Sequence, residues 1–306
     1  MNLTTIGILP ILMALALAPL AIGVIIKMKA LFAGRKGAPL VQPYRDLRKL
    51  MRKNAVYSHS TTWIFRLAPP LALAVSAMAC AWMPFAGIEG TFSVLGGFIF
   101  IAYLFGLSKY FTILASLDTA SAFEGMGSNR EALFSVLAEP ATLLAFFALI
   151  MTSGSASLWD AIVWGQRSGF AEYGVVPLLA LVSFFILALA ENSRIPVDDP
   201  TTHLELTMIH EAMILDNSGP DLAYIEYASA LKVWFYLTLC ANIIVAVLSL
   251  KGWLQIAATF AIIFALAGVI GVVESIIARL RMKKVPDFIG SAVAFALLAI
   301  VLEGIL

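Results

Sequence analysis

Charge is scarce in this chain: 13% of its 306 residues are Asp, Glu, Lys or Arg, while 61% are hydrophobic. A soluble domain has about a quarter of its residues charged and needs them on its surface. That shortage excludes an ordinary soluble globular protein and leaves a chain whose outer face meets lipid. Cysteine is nearly absent as well. Cys80 and Cys240 each lie inside an apolar run, and no CxxC pair occurs. A cysteine-held zinc or iron–sulfur site and a disulfide framework are thereby excluded. Histidine is limited to three residues. His203 and His210 stand two helical turns apart, but His210-Glu211 lacks the second histidine of a zincin motif, so no metal site is expected. Glycine-rich phosphate loops, a nucleophile elbow and a basic stripe with interleaved aromatics are also missing. The chain is therefore expected to hold no catalytic residue, no cofactor of its own and no nucleic acid.

Long hydrophobic runs are what it has. A membrane span needs about 20 apolar residues. Eight runs qualify: Leu3–Ile26, Leu67–Ala86, Phe92–Leu117, Ala132–Thr152, Val175–Ala190, Ala228–Leu250, Leu254–Val273 and Phe288–Leu306. The expected fold is all-α, a polytopic membrane protein of about eight transmembrane helices forming one domain over residues 1–306, without internal repeats. Met1 to Ile26 carry no charge and the first positives follow them, the reverse of a signal peptide. An uncleaved first helix with its N-terminus outside is expected. Eighteen of the twenty Lys and Arg residues then fall on the cytoplasmic side, leaving Arg167 and Lys251 outside, as the positive-inside rule requires. In that count Lys109 and Lys232 are helix-end charges of the cytoplasmic loops. Both termini are expected outside, in a cell inner (cytoplasmic) membrane.

Two cytoplasmic loops differ in sign. In the first, Pro43–Lys53 can form a helix with Tyr44, Leu47, Leu50 and Met51 on one face and bases on the other, an amphipathic segment suited to the membrane interface. In the fifth, between Ser193 and Tyr227, seven acidic residues face one base, Arg194. Asp199-Pro200 with Glu205 beyond it reads as a capped helix start, and Asn217-Ser218-Gly219-Pro220 as its end. Opposite charge on one side of the membrane suggests docking surfaces for soluble subunits. The docking candidates are Arg45, Asp46, Arg48 and Lys49 on one loop, and Arg194, Asp199, His203, Glu211 and Asp216 on the other.

Carboxylates at membrane depth are costly and are functional candidates by default. Glu139 lies inside the fourth run, before Pro140. Glu191 ends the fifth and Glu274 the seventh. Asp118, Glu124, Arg130 and Glu131 cluster in sequence around the third loop. Glu131 and Glu303 are expected to be solvated span ends. Glu139, Glu191, Arg130, Asp198 and Glu205 are the candidates for proton or ion coupling.

The motif Glu191-Asn192-Ser193-Arg194-Ile195-Pro196-Val197-Asp198-Asp199-Pro200, with Glu205-Leu206, resembles the central cytoplasmic loop of the family formed by the H subunits of respiratory complex I. Gly34–Lys53, with Gln42-Pro43, Asp46 and Lys49-Leu50, is similar to that family's first loop, and Arg130 and Glu139 to its fourth-helix Arg and Glu. The run Pro200–Glu211 resembles the group 4 [NiFe] hydrogenase branch, of the formate hydrogenlyase subunit 4 and hydrogenase-4 component C type. Thr201 and His203 stand where complex I has acidic residues, a departure that bears on a complex I type quinone chamber. The resemblance implies a membrane anchor and ion-coupling subunit of an oxidoreductase complex. It would dock hydrophilic large and small (iron–sulfur) subunits and neighbour antiporter-like membrane subunits. The partners would carry iron–sulfur clusters, with a [NiFe] centre as the further candidate. The alternatives are the quinone-binding H subunit of a complex I (NADH dehydrogenase) and, in another class, an independent secondary transporter.

Overall fold

The computed structural model describes residues 8–90, 97–155, 157–162, 175–198 and 208–305. Among these there is no β-sheet. The helices are α1 (Leu9–Phe32), α2 (Gln42–Leu50), α3 (Trp63–Trp82), α4 (Gly97–Asp118), α5 (Ala122–Ser153), α6 (Val176–Glu191), α7 (His210–Met213), α8 (Pro220–Val247), α9 (Gly252–Ile276) and α10 (Val285–Ile305). Seven of them are long and apolar enough to cross a membrane. Helix α6 is equally apolar but has 16 residues, about 24 Å at 1.5 Å per residue, and the residues before it are not described. A polytopic all-α membrane protein is thus present, with seven candidate spans among the described residues where about eight were expected. The amphipathic segment folds as expected: α2 presents Arg45, Asp46, Arg48 and Lys49 outward and turns Tyr44 and Leu47 inward.

Helix α8 is the hub. It packs against α1, α3, α6 and α9, and Leu231, Trp234, Phe235, Tyr236 and Leu237 along it are each at most 2% exposed. A helix apolar all round belongs in the middle of a bundle. Gly219 precedes it with φ 55° and Pro220 opens it, so the Asn217–Pro220 signal ends one segment and starts the next. Around the hub, α3 pairs with α4, α9 lies on α1, and α10 covers α5 and α6. Asp118, the last residue of α4, accepts the Thr62 backbone N–H at 2.6 Å and its hydroxyl at 2.9 Å. That contact locks the start of α3 to the end of α4.

Helix α1 contains Pro19, which has no N–H for the Leu15 carbonyl four residues back. The Tyr227 hydroxyl of α8 donates to Leu15 O at 2.7 Å, and the Tyr44 hydroxyl of α2 donates to Ala16 O. Two tyrosines from different elements thus satisfy the carbonyls at the proline break and fasten α2 to the bundle. Ala14, Ala18 and Ala21 are buried on the same helix, the small residues that let membrane helices approach closely.

Candidate functional site

Four helices bring charge together inside the bundle. Glu191 sits at the last position of α6 with its side chain 4% exposed. Its Oε1 accepts from Lys109 Nζ of α4 at 2.7 Å, and its Oε2 from Lys232 Nζ of α8 at 2.8 Å. Lys232 Nζ also donates to the Glu191 carbonyl at 2.8 Å and lies over the Phe105 ring at 5.4 Å. Lys109 Nζ donates to Ser135 Oγ at 3.2 Å and pairs with Glu131 of α5 at 3.7 Å. Two lysines and two glutamates make a neutral cluster. Buried charges are tolerated only when paired and hydrogen-bonded in this way.

Lys109 and Lys232 therefore do not sit at helix ends. Each is the thirteenth residue of its helix, of 22 in α4 and 28 in α8, and points at Glu191. Glu131 is likewise more than a solvated span end. The sequence does carry the signal: a lysine inside an apolar run is as costly as a glutamate there, and counting these lysines as topology charges hides it.

A second set of pairs lies behind the loop that follows α6. That loop folds back on the bundle, with Ile195–Pro196 cis and Arg194, Ile195, Val197 and Asp198 all buried. Arg194 Nη1 reaches Glu274 Oε1 of α9 at 3.4 Å, and Lys29 of α1 reaches Glu274 Oε2 at 3.6 Å. Asp198 pairs with Arg279 at 2.6 Å and accepts the His210 backbone N–H at 3.0 Å. Gly127 of α5 lets the 208–213 segment close down: a Cβ there would meet Ala212 Cβ at 2.8 Å and Ile209 O at 2.9 Å. Burial lowers the pKa of the His210 imidazole below its ordinary value, with Glu131 and Asp198 pulling the other way.

Three cavities join these groups. The largest, about 310 Å³, lies between α1, α2 and α8, with Asp46, Arg194, His210, Glu211 and Glu226 on its wall. A second, about 80 Å³, shares Asn192, Ser193 and His210 with it and reaches Lys109, Glu191 and Lys232. A third, about 50 Å³, shares Lys109 and Glu191 with the second and ends at Glu139. The Lys109–Glu191 pair thus stands between two small polar spaces. Each space is large enough to hold water.

Of the coupling candidates, Glu139 and Glu191 are linked by this series, while Asp198 shares only a smaller space of about 10 Å³ with Lys109, Glu131 and Glu191. Arg130 lines none of these spaces. Its Nη1 donates to Met208 O at 2.7 Å and its Nη2 lies 3.1 Å from Met126 Sδ, so it braces the approach to α7 and makes no pair with Glu139. The sequence cluster around the third loop also disperses: Asp118 holds Thr62, and Glu124 accepts the Asp216 backbone N–H at 3.1 Å. Among the docking candidates, Arg45, Asp46, Arg48, Lys49 and Asp216 are exposed and Glu211 is half-buried. Arg194 points inward. Asp199, His203 and Glu205 lie outside the described residues. No group of three or more His, Cys, Asp or Glu arranged for a metal occurs among the described residues, and both cysteines are free and buried.

Comparison with known proteins gives this arrangement a family. The profile of the NADH dehydrogenase family matches residues 4–304. The chain belongs to that family. Within it, the chain is similar to formate hydrogenlyase subunit 4 of Escherichia coli (strain K12), 28% identical over 302 residues and covering 95% of this chain and 97% of that protein. It is also similar to hydrogenase-4 component C of the same organism, at 28% over 71% of this chain and 68% of that one. The NADH-quinone oxidoreductase H subunit of Burkholderia ambifaria is 27% identical over 71% of this chain and 61% of its own length. The fold matches a chain of the membrane-bound sulfane sulfur reductase, an archaeal respiratory membrane complex. The TM-score is 0.82 at 18% identity, over 99% of this chain and all of that one. The expected resemblance to the NADH dehydrogenase family and its formate hydrogenlyase branch is borne out.

Proposed function

We propose that this chain is the membrane-anchor and ion-coupling subunit of a multisubunit hydrogenase-type respiratory complex. In this reading it sits in the cell inner membrane with both termini outside. It docks a hydrophilic arm on its cytoplasmic face and abuts antiporter-like membrane subunits. The bases of α2 and the acids around Glu211 and Asp216 take the large and small iron–sulfur subunits. Redox chemistry, on iron–sulfur clusters and a [NiFe] centre if one is present, belongs to those partners.

The observation that carries the reading is the neutral Glu131–Lys109–Glu191–Lys232 cluster between two water-sized cavities, with Glu139 at the far end. Such a line of alternating acids and bases can pass a proton only if each member can change its partner. A shift of Lys109 between Glu191 and Glu131, 2.7 and 3.7 Å away, is the smallest such change. Glu139→Gln tests it: the amide is near-isosteric but cannot release a proton. The ratio of ions taken up to electrons transferred, measured in vesicles holding the whole complex, should collapse. A normal ratio in a fully assembled Glu139→Gln complex overturns the coupling role. A second reading, a quinone-binding subunit, is favoured by the cavity of about 310 Å³ and by the relatives named for quinone oxidoreduction. Retention of electron transfer after quinone extraction would count against it.

A further inference from the structure

The turn between α9 and α10 carries charge that the bundle does not consume. Three bases near it are tied inward: Lys29 and Arg194 to Glu274, and Arg279 to Asp198. Those pairs occupy the Glu274 and Asp198 carboxylates. Arg281, Lys283 and Lys284 follow, all exposed, and among the described residues none of the three has an ion-pair partner. Asp287, in the first turn of α10, closes on none of them. The turn itself is fixed. The Leu280 N–H donates to the Pro196 carbonyl at 2.9 Å, and the Lys284 N–H to the Arg281 carbonyl at 2.7 Å. Met282 packs against the core, while Arg281, Lys283 and Lys284 stay on the open side.

Below these bases the surface is apolar. Ile276, 70% exposed, and Ile277, 44% exposed, stand immediately before the turn. Val269, 45% exposed, lies two turns back from Ile276 on the same stripe, and the exposed Ala265 and Ala261 extend it. Helix α9 lies on α1 and α8, and α10 lies on α5 and α6; the two consecutive helices make no extended contact with each other. A strip of α9 therefore remains open beside the turn, apolar along its length and cationic at its end.

We infer that this edge binds an anionic phospholipid, with its phosphate among Arg281, Lys283 and Lys284 and an acyl chain along Ile277, Ile276 and Val269. The occupant is argued from charge complementarity. A zwitterionic lipid brings its own ammonium and leaves the three bases uncompensated. An acidic protein surface would meet the bases but leave Ile276 and Ile277 uncovered. Lys and Arg at a helix end reach the headgroup layer while their stems cover apolar surface, and each base there favours an anionic lipid by roughly fivefold. The inference is separate from the coupling role, which uses none of these three side chains. The lipid nonetheless borders the loop after α6, because the same turn holds Asp198 through Arg279 and Pro196 through Leu280.

The test uses the assembled complex in phosphatidylcholine vesicles, with a diazirine on the acyl chain of either phosphatidylglycerol or phosphatidylcholine at the same low fraction. After irradiation, peptide mapping should place phosphatidylglycerol adducts on residues 265–277 and 285–294, about tenfold or more above phosphatidylcholine adducts there. Arg281→Gln with Lys283→Gln and Lys284→Gln should bring the two probes level at this site and leave labelling elsewhere unchanged. Lys283→Arg with Lys284→Arg keeps the charge and should preserve the preference. Equal labelling by the two probes in the unaltered complex overturns the inference, as does a preference that survives removal of the three bases. Benzoylphenylalanine at Ile276 identifies the occupant directly: lipid adducts are expected, and capture of a protein subunit in place of lipid overturns the inference as well.

Discussion

Replacing Glu191 by Gln should unbalance the buried cluster in a way that depends on which lysine is stranded. The cluster holds two ammonium groups and two carboxylates; the substitution leaves it one positive charge in excess. At about 4 Å and an effective dielectric of about 20, each lost ion pair is worth roughly 4 kcal/mol of attraction. Rearrangement and water recover part of it, and breaking a buried pair by removing one partner generally costs about 3–5 kcal/mol. The two lysines are not equivalent. Lys109 keeps Glu131 at 3.7 Å and Ser135 at 3.2 Å. Among the described residues, Lys232 keeps in contact the Glu191 backbone carbonyl and the Phe105 ring, with Glu131 acting on it only from further off. The cost therefore lodges on Lys232. Glu191→Gln should lose about 3–5 kcal/mol, at least a hundredfold in the folding equilibrium. Adding Lys232→Met should recover more than half of it, and adding Lys109→Met much less. Reversible unfolding by dodecyl sulfate in mixed micelles, with all variants under one condition, gives the numbers. A loss under about 1 kcal/mol, or equal rescue by either lysine substitution, refutes the reasoning.

Two further effects follow from groups that hold the loops and helix ends together. Tyr227→Phe removes the donor to Leu15 O and should cost about 1–3 kcal/mol in the same unfolding assay. Pro19→Ala should shrink that cost, since Ala supplies the missing N–H; an undiminished cost would mean the hydroxyl acts elsewhere. His210 has its pKa lowered in the fold, so the unfolded chain binds more protons as pH falls below about 6.5. Its contribution is present above that pH and is lost as pH falls. His210→Gln should flatten the decline in stability between about pH 7 and about pH 5; an unchanged slope sinks the assignment.

The bundle is legible because its physics is one-dimensional. An apolar run of the right length between charged loops is a span wherever it lies, and α1, α3, α4, α5, α8, α9 and α10 all fall on expected runs. Their ends differ where charge continues into a helix. Helix α1 extends to Phe32 past Lys27 and Lys29, and α5 starts ten residues before its run, at Ala122 rather than Ala132. Basic side chains can continue a helix out of the hydrocarbon by reaching to the interface, so the hydropathy edge marks the lipid boundary and not the helix end.

The site is only half legible, and the reason is reciprocal charge. Glu139 and Glu191 stand out in sequence because an isolated carboxylate in an apolar run needs an explanation. Lys109 and Lys232 escape notice because the positive excess on one side already accounts for them. Glu191 is 82 residues from Lys109 and 41 from Lys232, and no periodicity links residues so far apart on different helices. Arg130, named beside Glu139 as a coupling candidate, is directed by the fold to the Met208 carbonyl. Within a membrane bundle, the count of charges on each helix says which residues need partners, but the packing decides who they are. Helix α8 makes that decision here. Its packing against α6 brings Lys232 to Glu191, and Lys109 of α4 completes the cluster from the other side while Glu139 stays open laterally. The Lys109–Glu191 pair and Glu139 thus border one small space, with Glu139 on the outer face of the bundle.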